Sequence, residues 1–166
     1  MVTIEKLIDE IIPYPADYSH RNGFSNTHII DKLSADEKIE VENALINKLT
    51  EHPDDLLIVE TLAYLKSTKS IPALRKLLVN SSYDMEKLII ASSIFEITKD
   101  TNLVDIAISA FRQLDNKKDA YYVYKLTGAF YHLAKFNNPA VIEIIREYFD
   151  HKEYLVSYNA KRALGQ

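Results

Sequence analysis

Five histidines, 24 carboxylates and a scatter of serines are the side chains on which any chemistry in this chain would rest. His20 and His28, with Asp17 and Asp31, are the grouping in which imidazoles and carboxylates stand near enough in sequence to meet around a metal ion. A zinc site takes its ligands at helical or turn spacing, such as His-x3-His. Neither this pair nor His52, His132 and His151 has that spacing, so a surface loop is the expected role of the first group, with no metal or other cofactor. With no cysteine there is no thiolate nucleophile, disulfide or cysteine-ligated zinc.

Adjacent acids occur at Asp36–Glu37 and Asp54–Asp55. General acid–base catalysis needs two carboxyls held in a pocket with separated pKa values. Acids at a helix start instead cap free amides and meet the helix dipole, and both pairs stand at such starts. Ser92 and Ser93 fall in mid-helix with no partner implied. The phosphate-cradling G-x-x-x-x-G-K-[ST] and G-x-G-x-x-G patterns and the nucleophile elbow G-x-S-x-G are missing from a chain with only three glycines. The expectation is a protein that is not an enzyme.

Charge points to partners. Residues 1–60 hold 13 Asp and Glu against 5 Lys and Arg, whereas residues 61–166 hold 11 against 15. An acidic half suits a cationic partner, or is a solvated helix face; the composition allows both. A nucleic-acid binder needs a basic stripe to neutralise phosphates, and at a sequence pI of about 5.7 the scattered lysines and arginines do not supply one. No apolar run reaches the roughly 18–20 residues needed to span a bilayer. The start, "MVTIEKLIDEII", lacks the basic region and cleavage site of a signal peptide, so no membrane association and a cytoplasmic location are expected.

The elements that must position these side chains are helices. Ile4, Leu7, Ile8 and Ile11 mark a first amphipathic stretch over 3–12, stopped by Pro13 and Pro15. Residues 13–26, "PYPADYSHRNGFSN", are irregular. Ser34 and Glu37 spell a capping box for a helix running to about residue 52, after which Pro53 ends it and Asp54 is placed to cap the next. Further helices are expected over 54–67, 70–79, 83–98, 102–114, 119–135, 139–149 and 152–164, separated by short polar groups such as "STKS", "KDTN" and "DNKKD". No stretch alternates as a strand does, so the fold class is all-α with about 8–10 helices in a single domain over 1–166. Residues 1–33 form a helix-and-loop cap and 34–166 stacked helix pairs. Seven of the eleven tyrosines lie between 121 and 158 and are expected to be packing residues.

Four segments superimpose: "ETLAYL" (60–65), "SSIFEI" (92–97), "GAFYHL" (128–133) and "NAKRAL" (159–164). Each has a small residue second (Thr61, Ser93, Ala129, Ala160) and an aliphatic four places on (Leu65, Ile97, Leu133, Leu164). On a helix these share one face, a small-then-large packing seam. A polar turn and a second amphipathic helix follow, with Leu74, Ile106 and Ile142 at equivalent positions. The copies are 32, 36 and 31 residues apart, a period of stacked helical pairs.

In "AKRAL" (160–164), "SIPALRKLL" (70–78) and "NPAVIEII" (138–145) the chain resembles HEAT-like, armadillo-type repeats, loosely over 34–53 and more closely over 54–166. It departs from the short bacterial form in lacking the usual glycine and aspartate of the turn, and in Thr61 and Ser93 replacing alanine. Tetratricopeptide repeats have a similar period, but their tryptophan is absent and their Gly-x-x-Tyr pairing does not recur. The resemblance implies a right-handed solenoid of antiparallel helix pairs, whose concave side is lined by the helices carrying the seam. Residues just off that seam, Glu60, Tyr64, Glu96, Tyr131 and His132, would then face a protein partner. Small acidic proteins of this kind also resemble bacterial immunity proteins, which implies that the partner is a basic toxin domain held and neutralised. A general adaptor or assembly scaffold, and a HEAT-like nucleic-acid-binding or lyase-type protein, are the alternatives.

Overall fold

A computed structural model describes residues 3–14 and 24–166. Among them the chain is all-α: ten α-helices, one 3₁₀ turn and no strand. In order they are α1 (Ile4–Ile11), α2 (Thr27–Ile30), α3 (Ala35–Glu51), α4 (Leu56–Tyr64), the 3₁₀ turn Thr68–Ser70, α5 (Ile71–Asn80), α6 (Asp84–Thr98), α7 (Leu103–Asn116), α8 (Tyr122–Ala134), α9 (Pro139–Arg146) and α10 (Tyr154–Ala163). The chain forms two compact units, Met1–Leu77 and Leu78–Gln166.

In the first unit α3 packs on both α1 and α4. Its start is the expected capping box: Ser34 Oγ accepts from the Glu37 amide at 3.3 Å, and the Ser34 amide donates back to Glu37 Oε2 at 2.8 Å. These bonds hold the Glu37 carboxyl below its ordinary range. Val41, Leu45 and Leu49 form the buried stripe of α3, whereas Ile39, at 51% exposure, lies outside it. The cap of α4 differs from expectation. Asp55, not Asp54, accepts from the Leu57 amide at 3.2 Å, because α3 already ends at Glu51 and Pro53 and Asp54 form a turn before α4 begins.

Thr61 is more than a small residue in this unit. Its hydroxyl donates to Leu57 O at 2.6 Å and accepts from Asn26 Nδ2 at 2.7 Å, and Asn26 also donates to Ile11 O at 3.0 Å. Asn26 is buried, so this relay satisfies polar groups near the ends of α1 and α2 that would otherwise be costly to bury. It gives the Thr61 hydroxyl a structural use that Ala129 and Ala160, at the matching places of two other segments, do not have.

In the second unit α6 packs on α7 and α8, α8 also on α7, α9 and α10, and α9 on α10. Phe111, Phe130 and Tyr148 form its aromatic centre, with ring centroids 5.2–5.7 Å apart. Burial pushes the Tyr148 phenol up, and its hydrogen bond to Asp115 adds to that. Tyr122 donates to the same carboxylate at 2.6 Å. Although burial opposes it, these hydrogen bonds hold Asp115 below the usual carboxylate range. Arg112 clamps Glu147 through two hydrogen bonds of 2.8 and 2.7 Å.

The seam holds at its small positions and shifts at its large ones. Thr61, Ser93, Ala129 and Ala160 are all at most 1% exposed. Of the aliphatics four places on, only Leu133 is buried; Leu65, Ile97 and Leu164 are half-exposed. Complete burial falls instead one place after the small residue (Leu62, Ile94, Phe130) and three before it (Ile58, Ile90, Leu126). Those two positions are themselves four apart, so the large pair flanks the small residue on the same face. The second helices also depart from the expected equivalence: Leu74 is buried, but Ile106 is 40% exposed. The buried stripe of α7 is Leu103, Val104, Ala107, Ala110, Phe111 and Leu114, and Ile106 lies off it.

Candidate functional site

The helices that carry the seam are each followed within three residues by a left-handed residue. After α4, α6 and α8 the chain passes through a left-handed residue, Lys66 (φ 56°), Lys99 (φ 58°) and Asn137 (φ 44°), and after α10 through Gly165 (φ 77°). These are the positive-φ residues among those described, and none follows α3, α5, α7 or α9. A left-handed residue frees the chain to leave the helix sharply, a role glycine fills at lowest cost. The copies therefore share a backbone device that three of them achieve without glycine.

Within the second unit α6 and α8 lie side by side in the same direction. Their contacts run in order: a Cβ on Gly128 would stand 3.4 Å from Met85 Cε, Ser92 Oγ lies 3.4 Å from His132 Nδ1, and Lys135 Nζ bonds Glu96 Oε2 at 2.9 Å. Just past the end of α8, the Phe136 ring meets Phe95 at a centroid distance of 4.7 Å. Two of the expected site residues thus enter one short stretch. Glu96 is half-buried and ion-paired to Lys135. His132 is half-buried, and burial, with the nearby Lys135 charge adding to it, depresses the imidazole pKa to about 4. Near neutral pH it is an uncharged ring.

Tyr131 stands on the neighbouring side of α8, 44% exposed, its hydroxyl donating to Asn159 Oδ1 of α10 at 2.8 Å. Tyr124, seven residues earlier on the same face, is 71% exposed. Glu60 and Tyr64 belong to the first unit. Tyr64, 43% exposed, donates to Asp31 Oδ1 at 2.7 Å, and this bond pushes its phenol pKa up. Glu60 is half-buried and lines a cavity of about 640 Å³ with Ile12, Phe24, Lys48, His52 and Leu57 among its walls. Glu96, Tyr131 and His132 are therefore gathered on α6 and α8, whereas Glu60 and Tyr64 serve separate local arrangements on α4.

The tyrosines of 121–158 are not mainly packing residues. Tyr148 is buried and Tyr122 half-buried, but Tyr121, Tyr124, Tyr131, Tyr154 and Tyr158 are exposed. Tyr124, Tyr131, Tyr154 and Tyr158 stand on helix faces turned away from the buried stripes, and Tyr121 stands just before α8. The seven-residue spacing of Tyr124 and Tyr131 was the available signal for a solvent-facing pair. Among the described residues no three His, Asp or Glu side chains gather as a metal would require. Asp17 and His20, half of the grouping considered for a metal, lie outside the described residues. No described helix is long and apolar enough to cross a membrane. No family model, curated protein or solved structure matches this chain.

Proposed function

We propose that this is a non-catalytic, protein-binding helical-repeat protein of HEAT-like type, and that its partner is a basic toxin domain which it neutralises as an immunity protein does. Support for the repeat array comes from the left-handed residue that closes each seam-bearing helix and from the same-direction register of α6 on α8. Alternate helices of a stack of antiparallel pairs run the same way and pack side by side.

The observation that carries the binding reading is the exposed face of α8, which presents Tyr124 and Tyr131 seven residues apart, with Lys135 of the Glu96–Lys135 pair one turn beyond Tyr131. Tyrosine supplies large, rigid contact area with a polar tip, and it is enriched among the residues that dominate protein–protein affinity. The acidic excess of residues 1–60 supports a cationic partner, because opposite charge speeds encounter and suppresses wrong pairings.

The test is to clone the genes that flank this chain's gene, co-express any toxic basic domain they encode with this chain, and measure affinity by titration calorimetry. Protection of the cell and a 1:1 complex are expected. Replacing Tyr124 and Tyr131 together by alanine should weaken binding about tenfold or more and reduce protection in step. If the double variant protects and binds as well as the parent, the α8 face is not the interface. If the parent neither binds nor protects, the toxin reading fails.

A further inference from the structure

The exposed face of α10 and the exposed face of α3 are opposite in charge, and each carries an exposed apolar side chain. We infer that α10 of one copy docks on α3 of a second copy of this chain. On α10, Tyr154, Leu155 and Tyr158 are 73%, 47% and 47% exposed, so an apolar and aromatic strip stands uncovered on a helix of ten residues. Lys161 and Arg162 in the last turn make one end of that strip basic, whereas Lys152 just before the helix is followed by the exposed Glu153. None of the three has an ion-pair partner among the described residues.

The face of α3 is its counterpart. Opposite the buried stripe of Val41, Leu45 and Leu49 lie Asp36, Ile39, Glu40 and, fifteen residues after Asp36, Glu51, all exposed. Acids mark both ends of this face, and Ile39 is its exposed apolar side chain. When the two helices run in opposite directions, Lys161 and Arg162 come beside Asp36 and Glu40, and Tyr158 beside Ile39. The same orientation sets the two helix dipoles favourably. Run the same way, the helices would leave the basic end of α10 beside Glu51 alone.

The contact joins two different surfaces, so it is head-to-tail and closes into a ring or dimer, or extends, according to the rotation between copies. It differs from the α8 face assigned to the toxin.

Sedimentation velocity over a concentration series tests the inference, at about 0.05 M and about 0.5 M salt, which differ in screening length by roughly threefold. The expected result is a mass above the monomer that grows with concentration at low salt and falls back at high salt. Lys161→Glu with Arg162→Glu should weaken association about tenfold or more, and so should Asp36→Lys with Glu40→Lys. Mixing the two variants should restore it, because each reversed face then meets a reversed counterpart and each native face a native one. Far-UV circular dichroism checks that both variants remain folded. A monomer at every concentration would overturn the inference. So would association that either reversal leaves unchanged, or a mixture no more associated than its components. The toxin titration of the α8 variants reads the other surface, so the two readings can fail independently.

Discussion

Ser93 and Thr61 hold the same place in two aligned segments, and both are buried hydroxyl residues. Their surroundings are opposite. Thr61 both donates and accepts, whereas Ser93 Oγ is buried with no hydrogen-bond partner among the described residues. A buried hydroxyl without a partner costs about 1–3 kcal/mol, and an apolar group of the same shape removes that cost. Ser93→Ala is therefore expected to raise stability by about 0.5–1 kcal/mol, the small void left by the oxygen offsetting part of the gain. Thr61→Ala should lower it by about 1–2 kcal/mol, since Asn26 loses one acceptor and packing atoms go with it. Urea unfolding of the two variants checks both signs; a loss at Ser93 equal to that at Thr61 would show that both hydroxyls are satisfied. The alignment alone made both positions read as small, because spacing reports which side chain must be short and not what its oxygen meets.

At the scale of the element, the closing residues of the helices are the informative feature. Lys99 ends α6 at φ 58°, a conformation in which a Cβ costs about 1–2 kcal/mol and glycine costs nothing comparable. Its ammonium also lies 5.2 Å from the Phe95 ring centroid, so substitution removes a contact as well as strain. Comparing two variants separates these effects. Lys99→Gly and Lys99→Ala lose the same ring contact, and only glycine relieves the backbone. The glycine variant is expected to be about 1 kcal/mol more stable than the alanine variant, a difference of a few degrees in Tm. Equal midpoints would mean that the helix end relaxes out of the left-handed region when lysine is removed. Most helices were legible in the sequence, since short polar groups punctuate amphipathic stretches of ten or more residues. Two features were not. The single turn α2 is too short to show a period, and the spacing between segments placed Ile106 opposite Leu74 although it lies off the buried stripe of its own helix. The candidate site was legible to the same depth. Glu96, Tyr131 and His132 stand together as seam neighbours, but their partners Lys135, Asn159 and Ser92 depend on which helix lies beside which.

For the whole molecule, acid is the condition under which the packing of α6 on α8 is most exposed to test. The His132 pKa falls from its ordinary 6.5 to about 4 in the folded protein, first through burial and then through Lys135. A folded-state pKa below the unfolded one means that the unfolded chain takes up the proton first. The resulting stability is complete above about pH 6.5 and is lost as pH falls from there through about 4. Between pH 7 and pH 5 the linkage amounts to about 2 kcal/mol. The carboxylates held low by hydrogen bonds or ion pairs, Glu37, Asp115, Asp119 and Glu147, act in a separate window. They ionise normally near 4, so their contribution disappears only below that. The two windows can be resolved with one variant. His132→Gln keeps a neutral polar ring-sized group beside Ser92 without a titrating nitrogen, and it should flatten the stability profile between pH 7 and pH 5 while leaving the steeper fall below pH 4 in place. Urea unfolding followed by far-UV circular dichroism at intervals across this range makes the measurement. If the parent and the variant lose stability in parallel from pH 7 to pH 5, His132 is solvated in the folded protein and the seam between α6 and α8 is looser than its contacts indicate.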